Sequence, residues 1–284
     1  MAAQILAEDL PAARVRVLTL SQPARKNAVD ADALNQLVHQ LSRAAADRVR
    51  AVVLAGEGGV FCAGSDLSAV GAASDRLHAN QIALDPNQNG LHANDFATGL
   101  GEDELPDAPL GRACAALEAS PFPIVAAIDG PAFGAGAELC CACDLRVASS
   151  SSRFSFPPAR LGLVYSPEGT ARVVRLLGLG QAKRLFFTAA VLDAAEALRI
   201  GLCQEVTAAP SALPRALELA SQLAQLSPRS HAGMKRTFAL LAQPLSSEAR
   251  AELASLRREA FTSRDAQEGR AAFLERRAPK FSDE

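Results

Sequence analysis

The sequence predicts an α/β core followed by a C-terminal helical region, and three observations predict it. Up to about residue 165, short apolar runs alternate with stretches of helical periodicity. Beyond that point nearly every segment is helical. Two glycine turns, around Gly64 and around Gly134, each join an apolar run to a candidate helix start. With 284 residues, 49% hydrophobic and 21% charged, the chain is long enough to bury a large core, as one big domain or a domain plus an appendage.

In chain order, residues 13–20 alternate in part and predict a strand. Ser21 to Asn27 is a loop carrying Arg25 and Lys26. Asp30 or Asp32 caps a helix reaching about Asp47, with Leu34, Leu37, Val38 and Leu41 on one face. Val49 to Ala55 contains a second buried strand. After Val60-Phe-Cys-Ala-Gly-Ser-Asp-Leu, residues 71–109 hold no lasting period of 2 or 3.6 and read as a long variable loop or lid. Leu110 to Ala119 reads as a helix, Phe122 to Ile128 as a buried strand, and Ala135 to Ala142 as a tightly packed helix. A short strand at 145–148 and a proline- and glycine-rich loop from Phe154 follow. Helices are expected from about Glu168 to Leu177 and over 181–189, 193–201, 211–226, 228–242, 246–262 and 265–277.

Bulk properties exclude several classes of function. The net charge of −2 shows no basic excess for nucleic acid and no polybasic stretch for a membrane surface. The longest apolar runs fall short of the ~18–20 residues of a membrane span. Met1 to Leu10 shows no basic n-region and no apolar h-region, so no signal peptide is expected. The six cysteines sit in apolar company without a CxxC pair, and Cys140, Cys141 and Cys143 have no histidine at ligand spacing. Buried reduced thiols in a cytoplasmic protein, with no metal, are expected.

The chemistry lies in the two glycine turns. A glycine turn that opens a helix leaves backbone N–H groups free, and the helix dipole adds positive potential there. Such a place receives a phosphate or a developing oxyanion. Glu138, one turn inside the second helix, is the only ionisable side chain apart from the cysteines between Asp129 and Asp144. A carboxylate in a mostly apolar pocket has a raised pKa and serves as acid or base. A plain strand–turn–helix crossover accounts for either turn taken alone.

Taken together and in order, these motifs resemble the crotonase family, the enoyl-CoA hydratase/isomerase superfamily. The resemblance rests on Phe61-Cys-Ala-Gly-Ser-Asp-Leu, on Asp129-Gly-Pro-Ala-Phe-Gly-Ala-Gly-Ala-Glu-Leu and on Cys143-Asp144. Pro23-Ala-Arg-Lys-Asn-Ala, Arg160-Leu-Gly-Leu, Gly169-Thr170 and the ending from Glu268 to Phe281 add to it, so it spans nearly the whole chain. It implies a spiral of ββα units over residues 1–205. It also implies a helical region over 206–284 that closes the site and joins subunits into a homotrimer or a dimer of trimers. The implied ligand is an acyl-CoA, met as substrate, with no other cofactor.

Carried over by position, the backbone N–H groups of Ser65 and Ala135 form the oxyanion hole, Ala135 standing where the family usually has glycine. Ala63, Asp66, Leu67 and Ser68 border the CoA, and Lys26 and Lys280 are candidates for its phosphates. Glu138 matches the first catalytic glutamate of the hydratases. The second position holds Pro158, which carries no proton. That puts standard two-glutamate hydration in doubt, and it weakens simple isomerisation too. Glu168, ten residues on, is a candidate substitute, or else it caps its helix. Tyr165, the only tyrosine, is a candidate hydrogen-bond donor on the same loop. Enoyl-CoA hydration or isomerisation is the leading expectation. The alternatives are hydrolysis, decarboxylation or C–C cleavage on the same oxyanion hole, or a homologue that binds acyl-CoA without turnover.

Overall fold

The computed structural model describes residues 2–66, 105–208, 212–242, 246–275 and 277–281. Most of the expected 71–109 loop, together with Leu67 and Ser68, lies outside the described residues. The main sheet has six strands: β1 (Gln4–Leu10), β2 (Val15–Ser21), β3 (Ala51–Gly56), β4 (Ile124–Ile128), β6 (Leu145–Ser149) and β9 (Glu205–Thr207), in that spatial order. β1 pairs antiparallel with β2, and every other neighbouring pair is parallel. A second sheet holds β5 (Pro131–Phe133), β7 (Arg153–Ser155) and β8 (Leu192–Asp193).

The repeating unit is visible in how the chain alternates between the sheets. β4 leads into β5 and then helix α3 (Ala135–Ala142), and β6 leads into β7 and then the short helix α4 (Pro158–Leu161) and the long helix α5 (Pro167–Thr188). β3 is likewise followed by Cys62, which bridges to Ala132 of β5 in the parallel sense. This is the ββα spiral expected from the resemblance, followed by helices.

Parallel strands buried on both faces need apolar residues at every position, and β3 and β4 meet that demand. Val52, Leu54, Ile124, Ala126 and Ile128 face one core, with Leu34, Leu37 and Leu41 of helix α1 (Ala31–Ala46). Leu110, Ala113, Cys114 and Leu117 of helix α2 (Ala108–Ala119) join them. Ala51, Val53, Val125, Ala127 and Val147 face the other side, where helix α7 (Ala212–Ala224) lays down Ala216, Ala220 and Ala224. The four-residue spacing of those alanines puts them on one stripe and brings the helix close to the sheet. Between α5 and α7 the chain forms β8, helix α6 (Ala194–Arg199) and β9. It ends in α8 (Pro228–Leu241), α9 (Ser247–Thr262) and α10 (Arg264–Glu275).

Several expectations are refined. Asp30 caps α1, its side chain accepting from the Ala33 N–H at 2.9 Å. The helices expected over 168–177 and 181–189 form one run, bent at Gly178 where φ is 77°. The loop expected after Phe154 contains the end of β7 and the whole of α4. β1 has no counterpart in the sequence reading. It is an edge strand with mostly exposed side chains, including Glu8 and Asp9, so no apolar alternation marks it. All six cysteines are reduced and buried. Burial pushes the thiols of Cys62, Cys141 and Cys143 up to about 12.

Candidate active site

The two glycine turns lie against each other. The Cys62 N–H donates to the Pro131 carbonyl at 3.0 Å, and the Phe133 N–H donates back to the Cys62 carbonyl at 3.0 Å. A Cβ on Gly136 would stand 2.3 Å from the Cys62 carbonyl oxygen, so only glycine lets α3 begin this close to the first turn. Gly134 turns the chain into α3 with φ of 51°. Its N–H donates to Ser155 of β7 at 2.9 Å, which ties the turn to the second sheet.

The first turn is held from its other side. The Val29 N–H donates to the Gly64 carbonyl at 2.9 Å and the Asp66 N–H donates to the Val29 carbonyl at 2.8 Å, which leaves the Ser65 N–H between them. Among the described residues neither Ser65 N–H nor Ala135 N–H donates to a backbone carbonyl. Both amides therefore stand on fixed segments, and Ala135 is the first residue of a helix, where the dipole adds positive potential.

Lys26 joins this neighbourhood through its backbone, its carbonyl accepting from the Ala63 N–H at 3.0 Å, and its side chain is exposed. The Arg25 guanidinium pairs with the Asp66 carboxylate. Buried Asn27 braces the loop by donating to the carbonyls of Glu57 at 2.8 Å and Val60 at 2.6 Å. Lys280 is exposed near the C-terminus, its N–H donating to Glu268 Oε1 at 2.7 Å.

Glu138 is 4% exposed. Burial holds its carboxyl above the ordinary glutamate range, while the Arg172 charge pulls the other way; Asp107 and Glu118 add to the rise. Arg172 Nη1 donates to Glu138 Oε1 at 2.8 Å. The same guanidinium grips Glu118 with its other edge, Nε to Oε1 at 2.9 Å and Nη2 to Oε2 at 3.0 Å. The start of α5 closes over the carboxylate: a Cβ on Gly169 would sit 2.7 Å from Glu138 Oε1 and 3.1 Å from Oε2.

Tyr165 is half-buried on the loop before α5 and packs edge-on against Phe186, with ring centroids 5.2 Å apart. Its hydroxyl lies 3.8 Å from where a Gly134 Cβ would be, so it reaches the second glycine turn. Burial, and then the charge of Glu138, push its pKa up, which keeps the phenol protonated. Pro158 is buried at the start of α4. Glu168 is exposed on the first turn of α5, where Ser166 is the cap, its hydroxyl accepting from the Gly169 N–H at 3.1 Å.

Ser65, Ala63, Asp66, Lys26, Ala135, Glu138 and Tyr165 thus gather around the two turns. Glu168 is exposed beside Gly169, and no contact joins Lys280 to the two turns among the described residues. Sequence reasoning missed Arg172 and Glu118. Their signal was faint: Glu118 is a single charge in the apolar run Ala113 to Ala119, and Arg172 sits among valines just past Gly169. It also missed Lys235, whose Nζ donates to Asp144 Oδ2 at 2.6 Å and to the carbonyls of Leu117 and Phe122, each at 3.2 Å. Asp144 Oδ2 accepts from the Ile124 N–H as well, at 2.7 Å. Lys235 and Asp144 thus tie α8 and the start of β4 to the segment that follows α3.

Comparison with known proteins places relatives beside this geometry. The family model described as enoyl-CoA hydratase/isomerase matches residues 11–92 and 89–284. The chain is 33% identical over 273 residues to the 2,3-dehydroadipyl-CoA hydratase of Escherichia coli (strain K12), covering 94% of this chain and 95% of that protein. It is 33% identical over 217 residues to a short-chain-enoyl-CoA hydratase of Clostridium acetobutylicum, covering 76% and 74%. Among solved structures, an enoyl-CoA hydratase from Polaromonas sp. JS666 superposes with a TM-score of 0.79 at 28% identity, covering 99% of this chain and 100% of that one.

Proposed function

The chain belongs to the enoyl-CoA hydratase/isomerase family, and from that premise we propose that it transforms an acyl-CoA thioester through an enolate. The thioester carbonyl oxygen accepts from the Ser65 and Ala135 N–H groups. Charge that gathers on this oxygen as the enolate forms is stabilised by amides already in place, each worth about 10²–10³ in rate. Glu138 moves the proton to or from the acyl carbons or a water. Coenzyme A arrives as part of the substrate. It runs along Ala63, Asp66, Leu67 and Ser68, with Lys26 and Lys280 available to its phosphates.

One observation carries this reading: a buried carboxylate, Glu138, lies one turn inside the helix whose first N–H is free and whose opening is locked to the Ser65 turn. Tyr165 supports it as a protonated donor beside the second turn. Pro158 favours a second reading, in which a single carboxylate serves isomerisation, hydrolysis or decarboxylation, or in which turnover is lost and binding retained. Glu168 enters as a substitute acid.

The same reading makes the molecule a cytoplasmic homotrimer or dimer of trimers, with residues 1–205 as the core and 206–284 joining subunits. The exposed Met234, Phe238 and Leu241 on α8 support such a joint. Among the described residues no helix is long and apolar enough to cross a membrane. Turnover of crotonyl-CoA and longer enoyl-CoAs by wild type and Glu138→Gln tests the function. Loss of turnover in the variant with CoA binding intact supports it. Tight CoA binding by calorimetry without turnover of any thioester selects the binding homologue.

A further inference from the structure

We propose that Arg172 is a positioning residue that selects Oε2 of Glu138 as the working oxygen and keeps this carboxylate ionised, and that Glu118 limits how strongly it does so. The inference rests on the role of Glu138 given above. It begins with how the guanidinium is divided. Two of its donors, Nε and Nη2, form a fork on Glu118, and Nη1 alone reaches Glu138 Oε1. Among the described residues nothing hydrogen-bonds Oε2. The two oxygens of Glu138 are therefore unequal: one is tied, and one is free to take or give a proton.

The chain enforces this inequality from several sides. Arg172 is 5% exposed, so its position is set by packing and by its two partners. Gly169 leaves the room the carboxylate needs, since a Cβ there would stand 2.7 Å from Oε1 and 3.1 Å from Oε2. The ionisable groups around Glu138 are Arg172 on α5, Glu118 and Cys114 on α2, Asp107 at the start of that helix, Tyr165 on the loop before α5, and Cys141 on α3. Among the described residues Arg172 is the one cation hydrogen-bonded to Glu138, and Arg175 of the same helix reaches Glu118 at 3.5 Å. A buried carboxylate without Arg172 would take up a proton and lose its use as a base near neutral pH. A family member with Pro158 has no second glutamate to share acid and base roles, so the ionisation of Glu138 decides which role it takes.

A positioning role is told from a purely structural ion pair by the pH profile, whose acid limb follows the Glu138 midpoint only where that carboxylate serves the reaction. Removing the cation raises the pKa of Glu138. Removing Glu118 lowers it, because Glu118 repels Glu138 and occupies two donors of Arg172. The test is the carboxyl titration of Glu138 by ¹³C NMR of glutamate-labelled protein, assigned with Glu138→Gln, alongside the pH profile of kcat/KM.

In Arg172→Gln the midpoint and the acid limb of the profile rise together by about 1–3 pH units. Arg172→Lys, which keeps the charge, restores most of the shift. In Glu118→Gln both move down. Glu118 is 36% exposed, so this variant keeps the test open if Arg172→Gln does not fold. A midpoint unmoved in Glu118→Gln, or in a folded Arg172→Gln, overturns the inference. Shifted midpoints in a protein that turns over no thioester would sink the proposed function and leave the Arg172–Glu138 coupling standing.

Discussion

Arg172 and Glu138 form a buried ion pair, 2.8 Å from Nη1 to Oε1, with the two residues 5% and 4% exposed. Removing Arg172 would strand the Glu138 charge, whereas Arg172 without Glu138 keeps its fork on Glu118. The pair joins α5 to α3 within one turn of Ala135 along the helix. The helix that carries half of the proposed oxyanion hole and the helix that closes over the proposed acid/base group are therefore joined by charge.

Stability should depend on pH through Glu138. Its folded pKa is raised above the ordinary 4.5 by burial. Between the unfolded and folded values the native state holds a proton that the unfolded chain has released, so stability falls as pH rises through that window and levels off above it. Glu138→Gln has no proton to release. The difference in unfolding free energy between wild type and Glu138→Gln, measured by urea titration at pH values upward from 4.5, is expected to shrink and then become constant. A difference independent of pH would contradict the raised pKa.

The Ala135 amide can be deleted by proline. Ala135 is the first residue of α3, a position where proline is well tolerated because its missing N–H has no partner in the helix. Ala135→Pro should lower kcat by about 10²–10³ while coenzyme A still binds, as steady-state kinetics and calorimetry would read out. An unchanged kcat would remove this amide from the account.

Gly169→Ala probes the fit of α5 on the carboxylate. The new Cβ would lie 2.7 Å from Oε1, so the carboxylate must shift. A displacement of about 1 Å costs on the order of 10²-fold in rate, so kcat should fall with KM little changed. Full activity in this variant would mean that the carboxylate position is not critical.

How much of this was legible in the sequence follows from where each interaction lies along the chain. The strands β3 and β4 were readable because burial on both faces demands unbroken apolar runs. Helix α1 was readable because Leu34, Leu37 and Leu41 repeat at helical spacing. The two glycine turns and Glu138 were readable because each motif is local. Arg172 was not, because its partners lie 34 and 54 residues away and no local pattern records them. β1 escaped because an exposed edge strand needs no apolar alternation, and β9 because three half-buried residues make no pattern.

Lys235 should matter for stability rather than for chemistry. Its Nζ satisfies two carbonyls and Asp144, and it is mostly buried. Lys235→Met is expected to destabilise the fold by about 1–3 kcal/mol, seen as a lower Tm, with kcat retained well below the transition. Loss of kcat at a temperature where the variant is fully folded would assign the residue to the site.

If Glu138 moves a proton on an acyl-CoA whose enolate is held by the two amides, solvent hydrogen must enter the acyl carbons. Deuterium uptake reads this out: crotonyl-CoA is incubated with enzyme in D₂O, and the recovered thioesters are weighed by mass spectrometry. Label on carbon is expected with wild type, and its rate should fall about 10²–10⁴-fold with Glu138→Gln. Incorporation at the wild-type rate in Glu138→Gln, or its loss in Glu168→Gln alone, would contradict that role of Glu138.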